Sequence, residues 1–150
     1  MKALAIGIMM WIQANCNAPG IHPSHNFCDM NMDLPIPKIT MMTERQLLKE
    51  FKKRNGSLAQ GTSRIRGFYD NGEIYMKHND YSIVEYQADL VHELLHYIQD
   101  KNNAIEWNCP PHYEIPVYLM QLHFYRNKSG RNATSPHVGI FKGYTCNTKY

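Results

Sequence analysis

His92-Glu93-Leu94-Leu95-His96 sets two imidazoles four positions apart, with a carboxylate next to the first. On an α-helix, positions i and i+4 share a face one turn apart, so both rings can reach one ion. Glu93 projects beside them, where it can take a proton from a water held at that ion. Two nitrogen ligands and a poised carboxylate form the core of a zinc hydrolase site.

Catalytic zinc takes three protein ligands and keeps a fourth position open. Three downstream residues are candidates for the third ligand: Glu106, His112 and Glu114. Glu114 is preferred. It falls in the first turn of the next expected helix, and a helix–loop–helix turnaround brings that turn back beside the motif. His₂Glu is also an established catalytic set. Its purely structural alternative is a negative charge that complements a helix N-terminus. Tyr97, His112, Tyr113, Tyr118 and His137 are candidates for a donor to a developing oxyanion, and each has an ordinary packing or surface role as its alternative. Asp89 and Asp100 are candidates for orienting the ligands, or are solvated helix charges.

The elements that must position these groups follow from the pattern. The motif lies within an expected helix from about Tyr81 to Lys101, where Val84, Ala88, Val91, Leu95 and Ile98 repeat at helical spacing and form a face to pack on a sheet. Asn102-Asn103 stops it. Residues 104–111, with Cys109-Pro110-Pro111, read as a rigid loop, and a second helix runs from about Tyr113 to Asn127, with Pro116 tolerated near its start. Before the motif, Arg64–Tyr69 and Glu73–Lys77 form a hairpin around Asp70-Asn71-Gly72. Ile74 and Met76 share one face of its second strand. Ile36–Met42 has strand character. Thr43 and Gln46 form a capping box that opens a helix from about Glu44 to Arg54, with Leu47, Leu48 and Phe51 as its apolar stripe. Residues 15–36 are irregular, and 128–150 are tail.

One hundred and fifty residues is one domain's worth of chain, and 43% hydrophobic residues allow it a real core. Lys49, Lys52, Lys53 and Arg54 end a helix, where cations complement its dipole, so they read as a solvated terminus rather than a nucleic-acid patch. No stretch is long and apolar enough for a stable membrane span. Lys2, the apolar run Ala3–Ile12 and the small residues Ala14 and Ala18 have the layout of a signal peptide. Cleavage after Ala14 leaves residues 15–150 as one domain, secreted or periplasmic, with all four cysteines retained. A buried N-terminal helix or strand is the other reading. Cysteines in an exported chain suggest disulfides; Cys16–Cys28 and Cys109–Cys146 are the expected pairs.

With the motif and Glu114 in place, the chain resembles the gluzincin class of zinc metallopeptidases. It is similar also to an uncharacterised family of small exported bacterial proteins, through Phe68-Tyr69-Asp70, Glu73-Ile74-Tyr75, the motif helix, and Cys109-Pro110 followed by Glu114 and Tyr118. The likeness covers about residues 35–125. It implies an α+β fold, a minimal zincin-like domain with a small, mostly antiparallel sheet on the motif helix. It implies Zn²⁺ on His92, His96 and Glu114, with Glu93 as general base in hydrolysis of a peptide or protein substrate. It also implies that Glu73–Lys77 is a sheet edge on which extended substrate adds a strand. Metzincins place Gly and His where this chain has Gln99 and Asn102, which excludes that class. Tyr118 stands where thermolysin-like enzymes carry an Asp. Two rival classes remain: a secreted zinc-containing binding module without turnover, and a disulfide-stabilised structural protein with an accidental motif.

Overall fold

The computed structural model describes residues 1–56, 61–135, 139 and 146. Its elements run α1 (Lys2–Ala14), β1 (Lys38–Met42), α2 (Glu44–Asn55), β2 (Gly67–Asp70), β3 (Glu73–Lys77), α3 (Val84–Lys101) and α4 (Pro110–Ser129). Two short 3₁₀ turns, Pro23–His25 and Phe27–Asp29, lie between α1 and β1. The architecture is α+β.

The sheet order is β1–β3–β2. β2 and β3 pair antiparallel, Tyr69 opposite Ile74. Asn71 and Gly72, at φ 47° and 85°, supply the two left-handed positions that a two-residue hairpin turn demands. β1 pairs parallel with β3, Thr40 opposite Tyr75, because α2 crosses over between β1 and the hairpin. The sheet is therefore mixed, not mostly antiparallel. Glu73–Lys77 is its central strand, which corrects the expectation that it is an edge. The edge on the hairpin side is β2. Gly67 on β2 gives close room to β3, since a Cβ there would meet the Met76 sulfur at 2.5 Å and the Tyr75 carbonyl oxygen at 3.1 Å, so the Met76 side chain would have to move.

Both sheet faces are covered, as the alternation along β3 requires. Ile74 and Met76 are fully buried against the main core, while Tyr75 packs with Phe68 and Leu47 under α2. The Thr43–Gln46 capping box forms as expected. The basic end of α2 is partly engaged, with Arg54 reaching Asp70 at 2.6 Å.

α3 is the central helix. Ala88, Val91, Leu95 and Ile98 are buried, as the spacing predicts, but so are Leu90, Leu94 and Tyr97. The sheet, α1 and α4 all pack on α3, so it is enclosed on more than one side. It starts at Val84 rather than Tyr81, because the Asp80 carboxylate accepts from the backbone and hydroxyl of Ser82 and turns the chain first. α4 starts earlier than expected. Pro110 and Pro111 are its first residues, where a missing N–H costs nothing. Pro116 then lies inside the helix and removes the N–H that the His112 carbonyl would accept.

α1 buries Ala5, Ile8, Met9 and Ile12, and Trp11 sits edge-on to Phe124 of α4 with ring centroids 4.9 Å apart. Both expected disulfides, Cys16–Cys28 and Cys109–Cys146, are present. No helix among the described residues is long and apolar enough to cross a membrane.

Candidate metal centre

α3 and α4 pack side by side, and their facing surfaces bring His92, His96 and Glu114 together. His92 Nε2 and His96 Nε2 are 3.1 Å apart. Glu114 Oε2 lies 3.7 Å from the first and 3.5 Å from the second. A tetrahedral ion with ligand bonds of about 2.0–2.1 Å separates its donor atoms by about 3.4 Å. The three observed distances bracket that value, so the donor triangle fits a tetrahedral ion without rearrangement of the helices.

The imidazoles are oriented from behind. His92 Nδ1 pairs with Gln121 Oε1 at 3.2 Å, and His96 Nδ1 with Gln99 Oε1 at 3.1 Å. An amide oxygen can only accept. Each Nδ1 therefore donates to its glutamine, which leaves Nε2 as the atom of each ring that faces the triangle. Gln99 is itself buried, and its Nε2 donates to the Tyr113 carbonyl at 2.9 Å, joining α3 to the first turn of α4.

Glu93 is buried and lines the cleft with His92. Burial raises its pKa to about 8; Glu114 and Asp89 add to the rise, while His96 and the Tyr69 backbone N–H oppose it. Burial also disfavours the His96 cation, yet hydrogen bonding and charge from Glu114, with Glu93 and Gln99 adding, hold His96 above its ordinary value. A cation in the donor triangle would replace that proton and favour the Glu93 carboxylate.

The other candidates separate. Glu106 and His112 pair with each other, His112 Nδ1 to Glu106 Oε2 at 2.8 Å, so neither joins the triangle. The Tyr97 hydroxyl donates to the Pro35 carbonyl at 2.7 Å and ties α3 to the irregular N-terminal segment. The Tyr113 ring stands 5.9 Å from the His96 ring, and the Tyr118 ring 4.7 Å from the His92 ring. Burial, then Glu114 and Glu93, keep Tyr118 well above its ordinary pKa, so its hydroxyl stays protonated. His137 lies outside the described residues. Asp100 accepts from the Tyr69 hydroxyl at 2.5 Å. Asp89 faces Arg66 at 3.3 Å, and burial raises it to about 6 against the pull of that guanidinium. Neither is a plain solvated charge. Asn102 bonds Asn31 through both its amide groups, a structural role.

The two glutamines are what sequence reasoning missed. Gln121 lies two turns beyond Glu114 on α4, and Gln99 one turn beyond His96 on α3. The helical period that paired the ligands also places these amides on the ligand face.

Two open cavities flank the centre. One is lined by His92, Glu93, Tyr118, Gln121, Arg66 and Asp89, among others. The other is bounded by His92, Glu93, His96, Glu114 and the β2 residues Gly67 to Tyr69. A further group, Cys109, His112 and Cys146, also brings ligand atoms together, but the disulfide occupies both sulfurs. No known protein family, curated protein or solved structure matches the chain.

Proposed function

We propose that the protein is a zinc-dependent peptidase of gluzincin type, with His92, His96 and Glu114 as ligands and Glu93 as general base. The observation that carries this reading is the donor triangle, matched in its three distances to one tetrahedral ion. Bound there, Zn²⁺ would supply a Lewis acid that brings the pKa of water to about 7 and polarises a carbonyl.

The chain's own residues do the rest. Gln99 and Gln121 fix the ring orientations. Glu93 accepts a proton from the attacking water and returns it to the leaving amine. Its buried position excludes bulk water from that transfer. Tyr118, protonated and beside His92, is a donor for the oxyanion. Peptide substrate adds to β2, the edge strand that bounds the cleft and has no strand on its outer side among the described residues. The two disulfides favour an oxidising, extracytoplasmic setting, and we propose export.

Glu93→Gln tests the assignment. It retains zinc and loses hydrolysis of a peptide library by at least about 100-fold, the lower bound for a general base. Full activity in this variant removes Glu93 from the mechanism. Stoichiometric zinc with no turnover by the unaltered protein replaces the peptidase reading with that of a binding module.

A further inference from the structure

We propose, resting on the peptidase reading above, that the cleft selects substrates with a large aromatic side chain beside the bond to be cut, and that Trp107 reads it. Trp107 is 67% exposed, the most of any large hydrophobic residue among those described. It stands in the turn between α3 and α4 and lines the same cavity as His92, Glu93, His96 and Glu114. A lone exposed apolar residue needs no explanation, but Trp107 belongs to a group.

Phe51, Ile65 and Phe68 line that cavity from α2 and the β2 side, and Ile105, Trp107 and Tyr113 line it from the helix turnaround. Its carboxylates are Glu93 and Glu114, and no lysine or arginine borders it among the described residues. Both carboxylates are engaged at the metal centre, so neither is spare for a charged substrate group. The neighbouring cavity differs, with Arg64, Arg66, Glu85 and Asp89 in its wall. A volume of about 350 Å³ is at the lower end for a ligand cavity and suits one large side chain.

The rings are set for an aromatic guest. Trp107 stands 5.9 Å from Tyr113 with the planes at 57°, and Tyr113 stands 5.9 Å from His96 at 69°. Tilted rings at such spacings are the arrangement that aromatic pairs prefer. A substrate ring extends this row at Trp107 and gains edge contacts that an aliphatic chain of equal area lacks. The turn is also held in advance. The Cys109 N–H donates to the Glu106 carbonyl at 2.8 Å, the Ala104 N–H donates to the Gln99 carbonyl at 2.8 Å, and the Cys109–Cys146 disulfide ties down the end of the turn. Little order remains to be imposed on Trp107 by a ligand.

The hairpin register brings the substrate alongside. Lys77 donates to the Arg66 carbonyl at 2.9 Å, so by antiparallel alternation Arg66 and Phe68 turn their backbone groups to β3, and Gly67 and Tyr69 turn theirs outward. Gly67 and Tyr69 both border the cavity. A strand bonded to them runs along its rim and presents alternate side chains to it.

The test uses the oxidised, zinc-loaded full-length protein and peptides identical but for one residue beside the cleaved bond, on either side: Phe, Leu, Ala, Glu or Lys. On one side, kcat/KM for Phe exceeds that for Ala by at least about 10-fold, the least that one added methylene in an apolar pocket gives, and also exceeds that for Leu. Trp107→Ala removes most of the Phe-to-Ala ratio, and Trp107→Phe keeps most of it. Trp107 is mostly exposed, so both variants keep the fold, which a thermal melt checks. Calorimetric binding of the Phe and Ala peptides to the Glu93→Gln protein shows the same preference without turnover. Turnover with no aromatic preference, or with one that Trp107→Ala retains, overturns this inference and leaves the peptidase reading standing. A Trp107-dependent preference in binding, with no turnover by the unaltered protein, upholds the aromatic site and removes the peptidase reading instead. No preference in either measurement overturns the inference.

Discussion

Glu114 Oε2 on α4 lies 3.5 Å from His96 Nε2 on α3. The two residues belong to different helices and are joined through a turnaround that includes a disulfide-bonded cysteine and two prolines. Their approach turns a pair of histidines into a three-donor site. Removing either partner separates what the ligand set contributes from what the helix contributes.

Glu114→Ala leaves two imidazoles. Zinc affinity, measured by competition with a chromophoric chelator, falls by more than about 100-fold, the upper end for loss of a residue that merely orients a ligand. Glu106→Ala leaves affinity at this centre unchanged. Equal losses in the two variants would mean that Glu114 is not the third ligand.

Gln99 has two jobs that substitution can separate. Gln99→Ala frees the His96 ring and lowers zinc affinity by about 10–100-fold. It also removes the bond from the Gln99 amide to the Tyr113 carbonyl, at about 0.5–1.5 kcal/mol of stability. Gln99→Glu keeps an acceptor for His96 but turns a carboxylate toward that carbonyl. It retains most of the affinity while losing the stability. Chemical denaturation and metal competition on both variants read the two effects apart.

The proton on His96 competes with the metal. Its folded-state pKa lies above the ordinary value of 6.5 because of Glu114 and its neighbours. Below that pKa the site must release a proton to bind, so zinc affinity rises with pH, by up to tenfold per pH unit from this group, and levels off once His96 is neutral. Calorimetric titration near pH 6 in buffers of different ionisation enthalpy shows proton release. A binding heat independent of buffer would contradict this linkage.

Asp89 makes a stability prediction of the opposite sign. Burial raises it from 3.8 to about 6, and its side chain is only 13% exposed. The fold therefore prefers its protonated form. The contribution is favourable below about pH 4, and is lost as pH rises through 6. At 1.36 kcal/mol per unit, the span is at most about 3 kcal/mol. The compensating Arg66 pair is mostly exposed and recovers less than about 1 kcal/mol. In chelator-treated protein, Asp89→Asn is more stable than the unaltered chain at pH 7, and the difference shrinks toward pH 4. A constant difference across that range would show that Asp89 does not titrate as stated.

Much of this architecture was legible in the residues. The capping box of Thr43 and Gln46, the Asn71-Gly72 turn and the apolar period of α3 are local rules, set within a few residues by hydrogen bonding and backbone sterics. Both disulfide pairs were anticipated from loop placement. The start of α4 was less legible. Two consecutive prolines read equally as rigid loop or as the first helical residues, and only packing against α3 selects the second. The central place of β3 is not legible there: the resemblance implies an edge strand, and a hairpin does not say which of its strands a distant third strand will join.

The chemistry written in the sequence is the i, i+4 spacing of His92 and His96 with Glu93 beside them. A helix is a local object, so those relations hold wherever α3 lies. The tertiary structure decided the rest: that Glu114 closes the triangle, that Glu106 and His112 turn away to each other and toward His25, that Gln99 and Gln121 stand behind the rings, and that β2 rather than β3 is the edge at the cleft. Each of these is a contact between segments far apart in the chain. Such contacts are set by which buried faces fit together, and no short-range pattern encodes that choice.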